Sequence, residues 1–192
     1  MANTLFPIFL KLDQLNTLVV GGGNVALEKV SAILRNSPEA RVTMVATFFR
    51  EDTLEYIEKF PLVSYEIREF LEGDLDGRDL VICATDNVPL HQKIKAIAAE
   101  RHLLCNVADT PHLCDFYLGS IVQKGDLKIA ISTNGKSPTL AKRIRAFLEE
   151  VIPTDIQETM DGLEAYRNSL KGDFEAKIKA LNEITKGLTF KK

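Results

Sequence analysis

The chain has 192 residues, with 24 Lys and Arg against 27 Asp and Glu and a formal charge of −3 at pH 7. That length holds one dominant core and at most a small second unit, and the acidic balance argues against a general nucleic-acid binder. Apolar residues at 45% and charged residues at 27% are ordinary for a globular protein, and no apolar run approaches the length of a membrane span. No charged-then-apolar leader is seen, so the expected compartment is the cytoplasm. Cys83, Cys105 and Cys114 form no C-x-x-C pair, and an odd count on apolar strands points to free thiols in a reducing compartment.

Leu5 to Leu12 reads as a short strand or extended arm, and Asp13 to Asn16 as a turn. The stretch from Thr17 to Lys29 then organises the rest. Leu18-Val-Val20 runs straight into Gly21, Gly22 and Gly23, and a helical pattern starts at Val25, which together predict a buried strand, a tight turn and a helix N-terminus. Gly21-x-Gly23-x-x-Ala26 matches the dinucleotide fingerprint with its permitted final Ala. The first glycine allows the sharp turn, the second lets backbone approach a pyrophosphate, and the small third residue packs helix onto strand. A phosphate would sit on free N–H groups at the positive end of the helix dipole. A tight strand-to-helix turn without any ligand is the plainer alternative.

The first helix is expected from about Asn24 to Arg35, with Val25, Val30, Ile33 and Leu34 as its apolar stripe. Arg41 to Ala46 reads as the second strand, and Thr47-Phe48 follow its carboxyl end. The Asp or Glu that often holds the ribose of NAD is missing there, so NAD and NADP both remain open on this ground. Thr53 to Lys59 is a short helix and Val63 to Arg68 a third strand. Leu80 to Ala84 is fully apolar, as a central parallel strand should be, and ends in Thr85-Asp86-Asn87. A helix from Pro89 to Arg101 leads to the strand Leu103–Val107, with Asp109-Thr110-Pro111 just beyond. Ligands of such sheets collect outside the carboxyl ends of the strands, where Gly21–Gly23, Ala46–Thr47, Thr85–Asp86 and Asn106–Asp109 should converge.

The pattern then changes. Phe116 to Lys124 and Leu127 to Ser132 read as an antiparallel hairpin, and Ser137-Pro138 as the cap and first turn of a helix running to Val151. Two further helices are expected after Pro153, divided at Lys171-Gly172-Asp173. The fold class is therefore α/β: a Rossmann-like parallel sheet over residues 1–113, a hairpin and helix over 114–150, and a helical segment over 151–192.

Asp109 is the preferred catalytic residue on position alone, with a backbone-bonding turn former before Pro111 as the alternative. Asp109, His112 and Cys114 match no closed zinc pattern, so no resident metal is expected, and an open metal encounter at Asp109 and His112 is the variant reading. His91 and His102 are read as solvated. No Gly-x-Ser-x-Gly elbow supports a Ser-His-Asp hydrolase. Lys142, Arg143 and Arg145 are either a solvated helix face or a clamp for substrate carboxylates.

Taken in order, Leu5-Phe-Pro-Ile-Phe-Leu10, Val19-Val-Gly-Gly-Gly-Asn-Val-Ala26, Ala84-Thr-Asp86, Cys105-Asn-Val-Ala-Asp109 and Ile131-Ser-Thr-Asn-Gly-Lys-Ser-Pro138 resemble the precorrin-2 dehydrogenase family, the dehydrogenase and ferrochelatase module of siroheme synthesis. The likeness covers about residues 5–150. It implies a homodimer in its stand-alone form, with a dimerisation region after the Rossmann domain. It also implies NAD-dependent oxidation of precorrin-2 to sirohydrochlorin, followed in some members by Fe²⁺ insertion. By the same resemblance Asp109 is the catalytic carboxylate. The cofactor falls on Gly21, Gly22, Gly23, Asn24, Val25, Thr47 and Phe48, with Thr85 nearby. The acidic tetrapyrrole falls on Asn106, His112, Ser137, Lys142 and Arg145. This chain departs from some members by Thr133 where they carry a phosphorylated serine, and by Glu28 where they carry a basic residue. A nucleotide-sensing module that binds NAD without catalysis, similar to regulatory domains of potassium transport, is the competing reading.

Overall fold

A computed structural model describes residues 3–171 and 174–186. The chain divides into two compact units, one ending at Leu118 and the other beginning at Gly119. The residues between 113 and 119 go with the first unit for a physical reason. The Asp115 carboxylate accepts the Cys105 N–H at 2.9 Å, and the Phe116 carbonyl accepts from the Asn106 amide at 2.8 Å, so this segment is sewn to the last strand of the sheet.

The first unit is a five-stranded parallel sheet. Its strands are β1 (Asn16–Val20), β2 (Arg41–Ala46), β3 (Val63–Ile67), β4 (Leu80–Cys83) and β5 (Leu104–Val107), in the order β3-β2-β1-β4-β5. Three helices connect them: α1 (Asn24–Asn36), α2 (Glu51–Ile57) and α3 (Val88–Glu100). Side chains alternate across the pleat, so Val19, Met44 and Ile82 join a core with Val30 and Leu34 of α1. Leu18, Val20, Val45, Val81 and Cys83 face the other way and pack with Ile94 and Ala98 of α3. Burial on both faces is why the central strands read as unbroken apolar runs. The chain winds outward from β1 to β3, then reverses to β4 and β5, so the topological switch lies between β1 and β4.

The segment from Asn3 to Lys11 forms no strand, and Phe6, Ile8 and Phe9 are exposed along it. The expected second helix starts two residues earlier, at Glu51, where Glu51 and Asp52 put negative charge on its first turn.

The second unit holds the antiparallel hairpin β6 (Ser120–Lys124) and β7 (Leu127–Ile131), then α4 (Pro138–Val151), α5 (Ile156–Ser169) and α6 (Phe174–Thr185). The Ser137 hydroxyl accepts the Leu140 N–H at 3.2 Å and Pro138 opens α4, as its sequence predicts. Gln157 of α5 binds the hairpin turn, accepting from Asp126 N–H at 2.8 Å. Of the expected divide between the last two helices, Gly172 and Asp173 lie outside the described residues. Among the described residues no helix is long and apolar enough to cross a membrane.

Candidate functional site

The site is built on the corner that follows β1. Gly21 has φ +134°, and a Cβ there would stand 2.3 Å from the Ala84 carbonyl oxygen. A Cβ on Gly22 would stand 2.2 Å from the Phe48 carbonyl oxygen, so the protein's own backbone excludes a side chain at both positions. Hydrogen bonds from Gly21 N–H to Val45 O, Arg50 N–H to Gly22 O and Ala84 N–H to Val20 O lock the corner to β2 and β4.

Gly23 is different. Its φ of −89° suits any residue, and a Cβ there would meet nothing within 4 Å. Nothing in the protein requires a glycine at this point, whereas a group docked against the backbone would. Gly23 is the N-cap of α1, and no side chain caps the helix. Helix geometry leaves the N–H groups of Asn24, Val25 and Ala26 without intrahelical partners beside that opening, at the positive end of the dipole. The corner therefore fits the pyrophosphate of a dinucleotide.

Thr47 and Phe48 lie just beyond β2 on the same edge, and the Phe48 ring is 63% exposed. Beyond β4, Thr85 is half-buried; its hydroxyl accepts the Asn87 N–H at 3.2 Å and lies 2.8 Å from His91 Nε2. His91 is not solvated as its sequence suggests: only 3% of it is exposed. It shares the buried face of α3 with Ile94 and Ala98, a spacing that could have revealed it. Burial pushes its pKa below the ordinary histidine value, with Asp86 and the Thr85 backbone partly offsetting.

Asp109 follows β5 in a turn closed by Thr110 N–H to Val107 O, with a backbone φ of +56°. Asp tolerates this left-handed conformation better than most residues. The carboxylate is exposed and bonds no described residue, whereas the turn-former reading needs it on the backbone. His112 is exposed in the short 3₁₀ turn that follows.

Asn106, expected from the sequence to contact the substrate, turns inward. It is 6% exposed, and its amide is spent on the Phe116 carbonyl and, at 3.6 Å, the Cys114 sulfur. On a strand covered on both faces, alternate residues have no solvent side to turn to. The open metal encounter finds no third partner in Cys114, whose Sγ accepts from Val107 N–H and donates to Val107 O. Among the described residues no three His, Cys, Asp or Glu side chains gather as a metal site. Asp115, which braces β5 and pairs with Lys95, is a structural carboxylate that nothing in the sequence marks out.

In the second unit Ser137 is half-buried, with its hydroxyl taken up by the cap of α4. Lys142 and Arg145 are exposed on that helix, and Arg145 lies 3.5 Å from Glu149 one turn on.

Residues 8–120 match the family model NAD_binding_7, described as "Putative NAD(P)-binding", and residues 124–150 match Sirohm_synth_M, "Sirohaem biosynthesis protein central". A siroheme synthase of Thioalkalivibrio sulfidiphilus is 37% identical over 166 residues, which is 86% of this chain and 33% of that protein. One of Nitrosococcus oceani is 38% identical over 165 residues, 86% of this chain and 35% of its own length. The chain thus spans about a third of the length of these relatives. Among solved structures, that of "SirC, precorrin-2 dehydrogenase" is similar with a TM-score of 0.73 at 24% identity, covering 97% of this chain and 94% of that one. With the glycine corner, the switch point and a family match over more than half its length, this chain belongs to the NAD(P)-binding family of NAD_binding_7 and takes a nicotinamide dinucleotide as its cofactor.

Proposed function

We propose that this chain oxidises precorrin-2 to sirohydrochlorin, with NAD as the oxidant and Asp109 as the proton acceptor. The observation that carries the reading is an exposed carboxylate, bonded to none of the described residues, on the same sheet edge as a glycine corner open at Gly23. Relatives titled siroheme synthase support the tetrapyrrole chemistry. Oxidation removes one hydride and one proton from the macrocycle, and NAD, when bound, takes the hydride at its nicotinamide ring.

The chain's own residues do the rest. Asn24, Val25 and their neighbours hold the pyrophosphate through backbone N–H groups, while Phe48 offers a ring face beside them. Asp109 accepts the released proton and, being exposed, passes it to water. Lys142 and Arg145 suit the carboxylates of an acidic macrocycle, and His112 stands close to Asp109 in sequence as a further polar contact.

In a second step Asp109 would accept pyrrole protons while Fe²⁺ enters as a substrate. We take the working form to be a homodimer in the cytoplasm; the exposed stripe of Leu140, Phe147 and Val151 along α4 supports the pairing. Precorrin-2 and NAD together should yield NADH and the sirohydrochlorin spectrum. NADH binding with neither product would instead support a nucleotide-sensing module. Sirohydrochlorin with Fe²⁺ reads the insertion step, and a rate equal to the uncatalysed one rejects it.

A further inference from the structure

The His91–Thr85 pair leads beyond that reading, although it rests on the same cofactor. His91 is 3% exposed, its Nε2 meets the Thr85 hydroxyl at 2.8 Å, and its Nδ1 is buried with no hydrogen-bond partner among the described residues. A neutral imidazole carries one N–H, so one of two arrangements must hold. With the proton on Nδ1, a buried N–H would be orphaned, which folded proteins almost never allow. With the proton on Nε2, the orphan is only a lone pair, and Nε2–H donates to Thr85. The second arrangement costs less.

It also fixes the threonine. Its oxygen then accepts twice from the protein, from Asn87 N–H and from His91 Nε2–H, and its own single proton finds no acceptor among the described residues. Thr85 is half-buried and directly follows Ala84, whose carbonyl lies against the Gly21 corner at the β1–β4 switch. We propose that His91 is a positioning residue of the cofactor site: by donating from Nε2 it turns the Thr85 hydroxyl into an outward donor for an acceptor oxygen of the bound dinucleotide, phosphate or ribose. The role is distinct from packing, because a non-polar residue of similar size would fill the space but leave the threonine hydroxyl without the donor that turns its proton outward.

The test is NADH affinity, measured by titration of intact wild-type and variant chains, with melting temperature recorded without ligand. Thr85→Val and His91→Leu should each weaken NADH binding by about fivefold, the loss of roughly one hydrogen bond. His91→Gln, which keeps a donor of similar reach, should recover most of that loss. The double variant Thr85→Val/His91→Leu should bind no worse than Thr85→Val alone. A further fivefold loss in the double variant, or no effect of His91→Leu where Thr85→Val has one, overturns the proposal. Should His91→Leu not fold, the ¹⁵N resonances of the wild-type imidazole decide directly: a protonated Nε2 is expected, and a protonated Nδ1 overturns the assignment. Wild-type chain that binds no NADH sinks the proposed function, whereas wild-type binding with indifferent His91 variants sinks this inference alone.

Discussion

The two units use apolar side chains in opposite ways. Up to Leu118, the sheet has helices on both faces and buries two clusters, one against α1 and one against α3. From Gly119 on, only Val122, Ala141 and Ile152 are buried among the described residues, while Phe147 of α4 is 60% exposed. A parallel sheet wound by helices closes its own surfaces. A two-stranded hairpin with a few helices has too little area to do so. The first unit therefore holds its ligand edge on a packed sheet, and the second carries apolar surface and positive charge.

On the proposed function, chemistry falls to the first unit and association to the second, and four experiments press on that division. The largest effect is expected from Asp109→Asn, which keeps a residue tolerant of the left-handed backbone and removes only the base. Turnover of precorrin-2 should fall about 10²–10⁴-fold while NADH affinity holds; a variant with full activity removes Asp109 from the mechanism.

Next comes the pair Gly22→Ala and Gly23→Ala. The first drives a methyl to 2.2 Å from the Phe48 carbonyl oxygen and should destabilise the chain by about 1–3 kcal/mol. The second meets no protein atom within 4 Å, so its melting temperature should change little while NADH affinity drops about tenfold. Equal stability losses in the two would mean that the corner is only a turn.

In the second unit, Phe147→Glu should weaken self-association by about tenfold, read as a shift in sedimentation with protein concentration, without altering NADH binding. Unchanged mass at all concentrations would remove the dimer from the reading.

The smallest effect is expected with pH. The folded His91 has a depressed pKa, so the unfolded chain takes up its proton first, near the ordinary value of about 6.5. Stability from this group is fully present above that pH and is lost as acidification proceeds toward the folded value. Thermal melts between pH 7 and pH 5 should decline more steeply for the wild type than for His91→Gln, and parallel curves would refute the assignment.

Much of the fold is legible in the sequence, because strands buried on both faces must be uniformly apolar and a corner closed by backbone, as at Gly21 and Gly22, must be glycine. The stretches around Leu18, Val42 and Leu80 carried that signal, and so did the Ser137-Pro138 start of α4. Site residues were harder to read. Asn106 looked like a polar residue at a ligand edge, and His91 like one on a solvated helix, yet both turn inward. A hydrogen-bonding residue reads the same in sequence whether its partner is solvent or the Phe116 carbonyl.

From its sequence alone, then, this chain declares a dinucleotide-type strand–glycine–helix corner and the order of its elements, since both follow from local backbone geometry and periodicity. Only the tertiary structure decided that Gly21 and Gly22 are filled by the protein's own backbone while Gly23 is left open. It alone brought the His91 imidazole to Thr85 and left the Asp109 carboxylate without a bond among the described residues. Those outcomes depend on neighbours tens of residues away in the chain, and burial and hydrogen-bond partners are set by that packing rather than by any local pattern.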